Sequence, residues 1–192
     1  MLENFASKPL LILDLDETLI HGSERKLHRE ADFRVGPFYL YKRPHLGQFL
    51  TSVNSVYDVA IWSSASEDYV SGIARHLMPM VGVWKFVWSR ARCVQRLNPD
   101  TLEYDYIKDL RKVRRLGFNL NRTLIVDDTP RKVCRNYGNA IYVSPFEGSD
   151  ADDELIALER FIVSLHSASN FRKLEKRGWR SRDLNGHNNQ AR

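Results

Sequence analysis

Two strand-length apolar runs in this chain stop at carboxylates. Leu10 to Leu15 reads LLILDL and continues into Asp16, so Asp14 and Asp16 stand one residue apart; Thr123 to Val126 ends at Asp127-Asp128. Runs this apolar suit strands buried on both faces, as in a parallel sheet covered by helices. In an extended backbone alternate side chains share a face, which brings Asp14 and Asp16 to one point at the strand's carboxyl end. Two carboxylates at one point repel unless positive charge lies between them, and a divalent cation with a phosphoryl group would supply it. Asp also favours turns and helix N-caps, so Asp16 or Thr18 could instead cap the turn that follows.

The rest of the chain alternates β-rich runs with helical patterns, the signature of an α/β fold with a central parallel sheet flanked by helices. Phe38 to Tyr41 reads as a short extended segment, and Arg43-Pro44-His45 opens a helix running to about Val53. Tyr57 to Ser63 is a second buried strand, ending in the polar residues Ser63 and Ser64. Ser66 to His76 has helical spacing, with Tyr69, Val70, Ile73 and Leu77 on one side. Trp84, Phe86 and Trp88 alternate at period two within Met78 to Arg90 and predict a strand. Asn98-Pro99-Asp100 marks a turn, Tyr106 to Leu116 a helix stopped at Gly117, Ala140 to Val143 a last strand, and Asp152 to Leu165 a closing amphipathic helix. In an open parallel sheet ligands bind at the strands' carboxyl ends. That rule gathers Asp14, Asp16, Ser63, Asp127 and Asp128 on one rim.

Composition narrows the class. At 192 residues and 43% hydrophobic content the chain suits one packed domain, predicted over residues 1–169. Cys93 and Cys134 lack metal or redox spacing. No apolar stretch approaches bilayer length and no basic-then-apolar leader opens the chain, so no membrane span is expected and the protein is predicted to be soluble and intracellular, cytoplasmic by default. The net charge of +5 is concentrated after Asn170, where seven basic residues face two acidic ones while the remainder is balanced. Residues 170–192 are therefore predicted to form a flexible basic tail, solvated or in contact with an acidic partner such as nucleic acid.

Five blocks carry a family resemblance: DLDETL (Asp14–Leu19), RPHLGQFL (Arg43–Leu50), IWSSASEDY (Ile61–Tyr69), YIKDLRKV (Tyr106–Val113) and VDDTP (Val126–Pro130). Their order and spacing resemble the haloacid-dehalogenase (HAD) superfamily, in its FCP/SCP-like, NLI-interacting-factor-like branch of aspartate-based protein phosphatases. The resemblance spans roughly residues 8 to 165. It implies a Rossmann-like HAD fold with at most a small cap or insert, and a Mg²⁺-dependent hydrolase of phosphoserine and phosphothreonine on protein.

Carried over by position, Asp14 would be the nucleophile that becomes a phosphoaspartate, ionised at neutral pH and needing no base to activate it. Asp16 would protonate the leaving oxygen and then deprotonate the hydrolytic water. Thr18, the third motif position, would support the loop. Ser63 stands where the family usually has Thr and would still donate to a phosphoryl oxygen. Lys108 would neutralise charge on the phosphoryl group and the nucleophile. Asp14, a backbone oxygen of Asp16, and Asp128 would be the protein ligands of Mg²⁺, with Asp127 beside them either supporting those ligands from behind or as a partner of Lys108. Arg43, Pro44 and His45 read as helix-start and packing residues, His21 as a loop residue, and Trp62 as core. FRVGPFYLYK, between Asp32 and Arg43, is shorter than the hairpin region of eukaryotic polymerase-tail phosphatases, so that specificity is not carried over. Two other functions fit the same residues: a phosphatase of small phosphate esters, and a non-catalytic binding module.

Overall fold

A computed structural model of the chain describes residues 8–99 and 102–183. Its elements run β1 (Leu10–Leu13), β2 (Ile20–Ser23), β3 (Phe33–Val35), β4 (Phe38–Lys42), α1 (Leu46–Val56), β5 (Asp58–Trp62), α2 (Glu67–Val81) and β6 (Val87–Trp88). They continue with β7 (Val94–Leu97), β8 (Tyr104–Ile107), α3 (Arg111–Arg114), β9 (Thr123–Asp127), β10 (Ala140–Tyr142), α4 (Glu154–Leu165) and α5 (Trp179–Asp183).

Five strands form one parallel sheet in the order β10-β9-β1-β5-β6. The central position of β1 explains its composition: helical layers cover both faces, so every residue from Leu10 to Leu13 is buried. The period-two rule divides these residues between two cores. Leu11, Leu13, Val59, Ile61, Leu124 and Val126 face α1, α2 and α4, while Leu10, Ile12, Ala60, Trp62 and Ile125 face Leu110, Val113 and Val133. Helix α1 buries Leu46, Phe49, Leu50 and Val53 at i, i+3, i+4 and i+7. Register then aligns the strand ends, because Leu13 pairs with both Ile61 and Val126 and the Asp14 amide donates to the Val126 carbonyl at 3.0 Å. The α/β, Rossmann-like architecture is thus as expected.

Two small inserts decorate the sheet. β2, β4 and β3 make an antiparallel sheet between β1 and α1, and β7 pairs with β8 as a hairpin. Only the β4 part of the first insert was predicted. The helix expected over Tyr106 to Leu116 is corrected more substantially: Tyr104–Ile107 is strand, and helix is confined to Arg111–Arg114. Tyr106 and Ile107 pair with Gln95 and Val94 instead of building a helical turn, and Asp109 accepts from the Arg111 amide at 3.0 Å to start the short helix. Lys108 therefore leaves a strand, not a helix. The strand expected across Met78 to Arg90 shrinks to Val87–Trp88, since α2 continues to Val81 and Trp84 donates its indole N–H to the Ala74 carbonyl. The turn predicted at Asn98 reaches Asp100, which lies outside the described residues.

The predicted boundary at Asn170 falls inside packed chain. Phe171 is fully buried beside Tyr57, with the Arg122 guanidinium 5.3 Å from its ring centroid. Trp179 stacks on Phe161 and donates to the Tyr142 carbonyl at 2.7 Å. Lys176 turns inward to the Phe171 and Leu174 carbonyls, and Arg180 pairs with Asp153 and Glu154. Apolar burial outweighs local charge here, so the segment through Trp179 is part of the domain; the end of the predicted tail, from Leu184, lies outside the described residues. Phe171→Ala is expected to destabilise the fold by about 3–5 kcal/mol in denaturant unfolding, where a detached tail would give a change below about 0.5 kcal/mol.

Candidate active site

The carboxyl rim of the sheet holds a buried charge cluster. Asp14, just past β1, is 1% exposed, and Asp127, at the end of β9, and Lys108, just past β8, are fully buried. The Lys108 ammonium lies 2.8 Å from Asp14 Oδ1 and donates to Asp127 Oδ2 at 2.6 Å. A second lysine enters from the helical turns after β9: Lys132 Nζ is 3.2 Å from Asp14 Oδ2, 3.5 Å from Asp128 Oδ1 and 4.0 Å from Asp127 Oδ1. The carboxylates of Asp14, Asp127 and Asp128 each offer an oxygen within 4.8 Å of the others. Three acids converge at one point against two ammonium groups.

A tight turn carries the chain out of β1. The amides of Thr18, Leu19 and Ile20 all donate to the Leu15 carbonyl, and Glu17 takes a left-handed φ of 56°. Arg43, also buried, anchors this turn: it donates to the Thr18 carbonyl at 3.1 Å and grips Asp152 through two bonds of 2.7 and 2.8 Å. The packing role expected of Arg43 is thus a clamp between the turn after β1 and the loop before α4. Thr18 is buried with its hydroxyl unpartnered, and His21 pairs with Glu17 at 3.1 Å. Ser63 ends β5 on the same rim, buried, its Oγ accepting from the Ala65 amide at 3.0 Å.

The two aspartates of the first turn sit in opposite environments. Burial pushes the Asp14 carboxyl up, but Lys108 and Lys132 outweigh it and hold Asp14 below the usual carboxylate range. Asp16 is raised, mainly by burial with help from the Asp14 charge, and against the pull of a Tyr69 hydrogen bond. Lys108 is raised despite its burial, through Asp127 and Asp14. Glu17 is pushed up to about 7 by burial and by the neighbouring Asp16 and Asp128 charges.

Sequence reasoning assembled Asp14, Asp16, Thr18, Ser63, Lys108, Asp127 and Asp128, and the fold brings all seven to this rim. Two other members were not foreseen. Lys132 follows Asp128 by four residues on a helical turn, a spacing that could have signalled contact. Tyr69, read only as part of an apolar helix face, donates its hydroxyl to Asp16 Oδ1 at 2.7 Å. The basic run Arg111 to Arg115 is partly spent locally, with Arg111 on Asp109 and Lys112 on the Arg92 carbonyl.

A five-stranded parallel sheet with paired acids leaving its central strand, and a buried lysine between the first of them and the acidic end of the neighbouring strand, defines the class: a HAD-type hydrolase fold. The chain belongs to the NLI interacting factor-like phosphatase family, whose model matches residues 9–172. It is similar to the CTD small phosphatase-like protein of Homo sapiens, 28% identical over 165 residues that cover 82% of this chain and 56% of the relative. Human carboxy-terminal domain RNA polymerase II polypeptide A small phosphatase 1 is 29% identical over 167 residues, covering 83% and 60%. Phosphatase Herzog of Drosophila melanogaster is 30% identical over 152 residues, covering 76% and 40%. The chain thus spans about half the length of such curated relatives. Among solved structures, Fcp1, an essential RNA polymerase II CTD phosphatase, superposes with a TM-score of 0.64 at 18% identity over 83% of this chain and 62% of that one, a likeness of fold.

The charge cluster makes a prediction about stability. Lys108→Met leaves Asp14 and Asp127 buried without their ammonium and is expected to cost about 3–5 kcal/mol at neutral pH. In that variant both acids have folded-state pKa values above the unfolded ones, so stability returns as pH falls and they protonate. Urea unfolding at pH 7.5 and pH 5 checks this, with a narrower gap to the parent at the lower pH.

Proposed function

We propose that this chain is a Mg²⁺-dependent phosphatase that hydrolyses phosphoserine and phosphothreonine on protein through a phosphoaspartate at Asp14. One observation carries the reading: two carboxylates on a single strand end, one held ionised by two lysines and the other raised toward its protonated form. Opposed environments of this kind divide a nucleophile from an acid.

The donor set fits a magnesium ion. Both Asp127 oxygens are engaged, Oδ2 by Lys108 and Oδ1 by the Thr129 amide at 2.9 Å, whereas Asp128 Oδ1 is buried without a hydrogen-bond partner. Asp14 and Asp128, with a backbone oxygen of Asp16, would hold Mg²⁺, which suits few carboxylates and retained water. Bound there, the ion would neutralise phosphoryl oxygens and draw electron density from phosphorus.

In the first half-reaction an Asp14 oxygen attacks phosphorus in line while the bond from phosphorus to the seryl or threonyl oxygen breaks. That oxygen leaves with the electron pair and takes the proton of Asp16. In the second, Asp16 accepts a proton from the water that attacks the phosphoaspartate, releasing inorganic phosphate and restoring both acids. Lys108 offsets charge on the nucleophile and the transferring group, and Ser63 Oγ–H donates to a phosphoryl oxygen.

Small inserts favour a protein substrate over a small metabolite. Among the described residues the additions to the sheet are a three-stranded sheet and a hairpin, with no separate cap domain to enclose a small ester. The names of the relatives, which include polymerase-tail phosphatases, point to the same substrate class. Among the described residues no helix is long and apolar enough to cross a membrane.

The experiment compares phosphoserine and phosphothreonine peptides with a panel of sugar phosphates. Peptide turnover is expected to require Mg²⁺, to stop with a chelator, and to fall below about a thousandth in Asp14→Asn. Mg²⁺ is also expected to raise the melting temperature of the parent by mass action, and less so that of Asp128→Ala. Activity that survives chelation or Asp14→Asn, or faster turnover of a sugar phosphate, would overturn the proposal.

A further inference from the structure

Tyr69 reaches Asp16 through a gap made for it. The side chain rises from the first turn of α2, its ring meeting Phe38 of β4 edge-on with centroids 5.1 Å apart. Its hydroxyl ends 2.7 Å from Asp16 Oδ1. Across the contact stands Gly22 of β2, where a Cβ would lie 2.3 Å from the Tyr69 oxygen, 3.5 Å from Cζ and 3.6 Å from Asp16 Oδ1. No side chain fits at position 22 while the tyrosine holds its place, although the glycine has no positive φ to require it. The missing Cβ serves the contact, not the strand.

We infer that Tyr69 is a positioning residue for Asp16, with Gly22 as the notch that admits it, and that together they decide which oxygen of Asp16 carries the transferable proton. This rests on the proposed acid role of Asp16. A phenolic O–H has one proton to donate, and it is spent on Oδ1. Oδ1 is then an acceptor, so the acidic proton of neutral Asp16 sits on Oδ2. When the ester bond breaks, the Oδ2–H bond breaks with it, the proton passes to the departing seryl oxygen, and the new carboxylate keeps its hydrogen bond from Tyr69. A phenol carries its proton at neutral pH, so the hydroxyl 2.7 Å from Oδ1 can donate in both halves of the cycle. The three-stranded insert, which supplies Gly22 and Phe38, is in this account part of the proton-transfer apparatus.

The test exploits leaving-group chemistry. An alkoxide from phosphoserine needs a proton as it departs, whereas p-nitrophenolate is stable without one. In single turnovers that follow phosphorylation of Asp14, before the water step common to both substrates, Tyr69→Phe is expected to slow transfer from a phosphoserine peptide about 10- to 100-fold, with half-saturation within about twofold, and to change transfer from p-nitrophenyl phosphate by less than about threefold. Gly22→Ala should show the same selective loss, because the Cβ displaces the hydroxyl. Gly22→Ala in the Tyr69→Phe background should add little, since the remaining approach to Cζ is ordinary contact. Equal losses on both substrates, or an additive double variant, would overturn the inference. Asp16→Asn, read in the same single-turnover experiment, separates the two levels: selective slowing of transfer from phosphoserine there without selective slowing in Tyr69→Phe removes only the role of Tyr69, and uniform slowing of transfer in Asp16→Asn removes the acid role itself and this inference with it.

Discussion

The ammonium of Lys108 between Asp14 and Asp127 is the interaction on which the rest of the site depends. Two carboxylates at the buried end of a parallel sheet repel each other and resist leaving water, and the charge between them outweighs that cost at Asp14, while burial still pushes Asp127 up to about 6. With Lys108 in place Asp14 stays ionised in a site almost without solvent. Lys132 extends the arrangement to Asp128. The chain's own cations offset much of the cluster's charge, and Asp128 Oδ1, paired with Lys132 at 3.5 Å, is left without a hydrogen bond.

Backbone geometry explains how so many charges arrive together. Equal register of β1 with β5 and β9 ends three strands at one level, and the turn through Leu15 to Ile20 aims the chain into the first insert directly above that level. Arg43 ties this turn to the loop before α4 through Asp152, joining the turn after β1 to the helical layer. Each insert then returns a residue to the rim. The first supplies Gly22 beside Asp16, and the second, ending at Ile107, delivers Lys108.

Much of this was legible in the chain. The buried strands of the main sheet, the helices over the first core, and all seven expected site residues follow from apolar runs that stop at acids, together with the order of five family blocks. Local pattern misled where pairing partners were distant or short. Tyr106 to Leu116 has helical composition, but its first residues are drawn into a hairpin with Val94 and Gln95. Phe171 and Trp179 lie in a strongly basic segment whose charge suggested a solvated tail, and their burial against Tyr57 and Phe161 decided otherwise.

By itself the sequence determined the class of sheet and the rim on which its acids gather, because strand periodicity and strand-end position are local properties of the chain; Lys108 came from the family blocks alone, on a segment whose local pattern suggested a helix. Only tertiary structure decided which oxygen meets which proton. Asp127 is held by Lys108, Lys132 pairs with Asp14 and Asp128, and Tyr69 slips past Gly22 to Asp16. Those choices depend on distances of a few ångströms between residues up to 118 positions apart. Such distances are set by how strands and inserts pack and not by any local preference of the residues themselves.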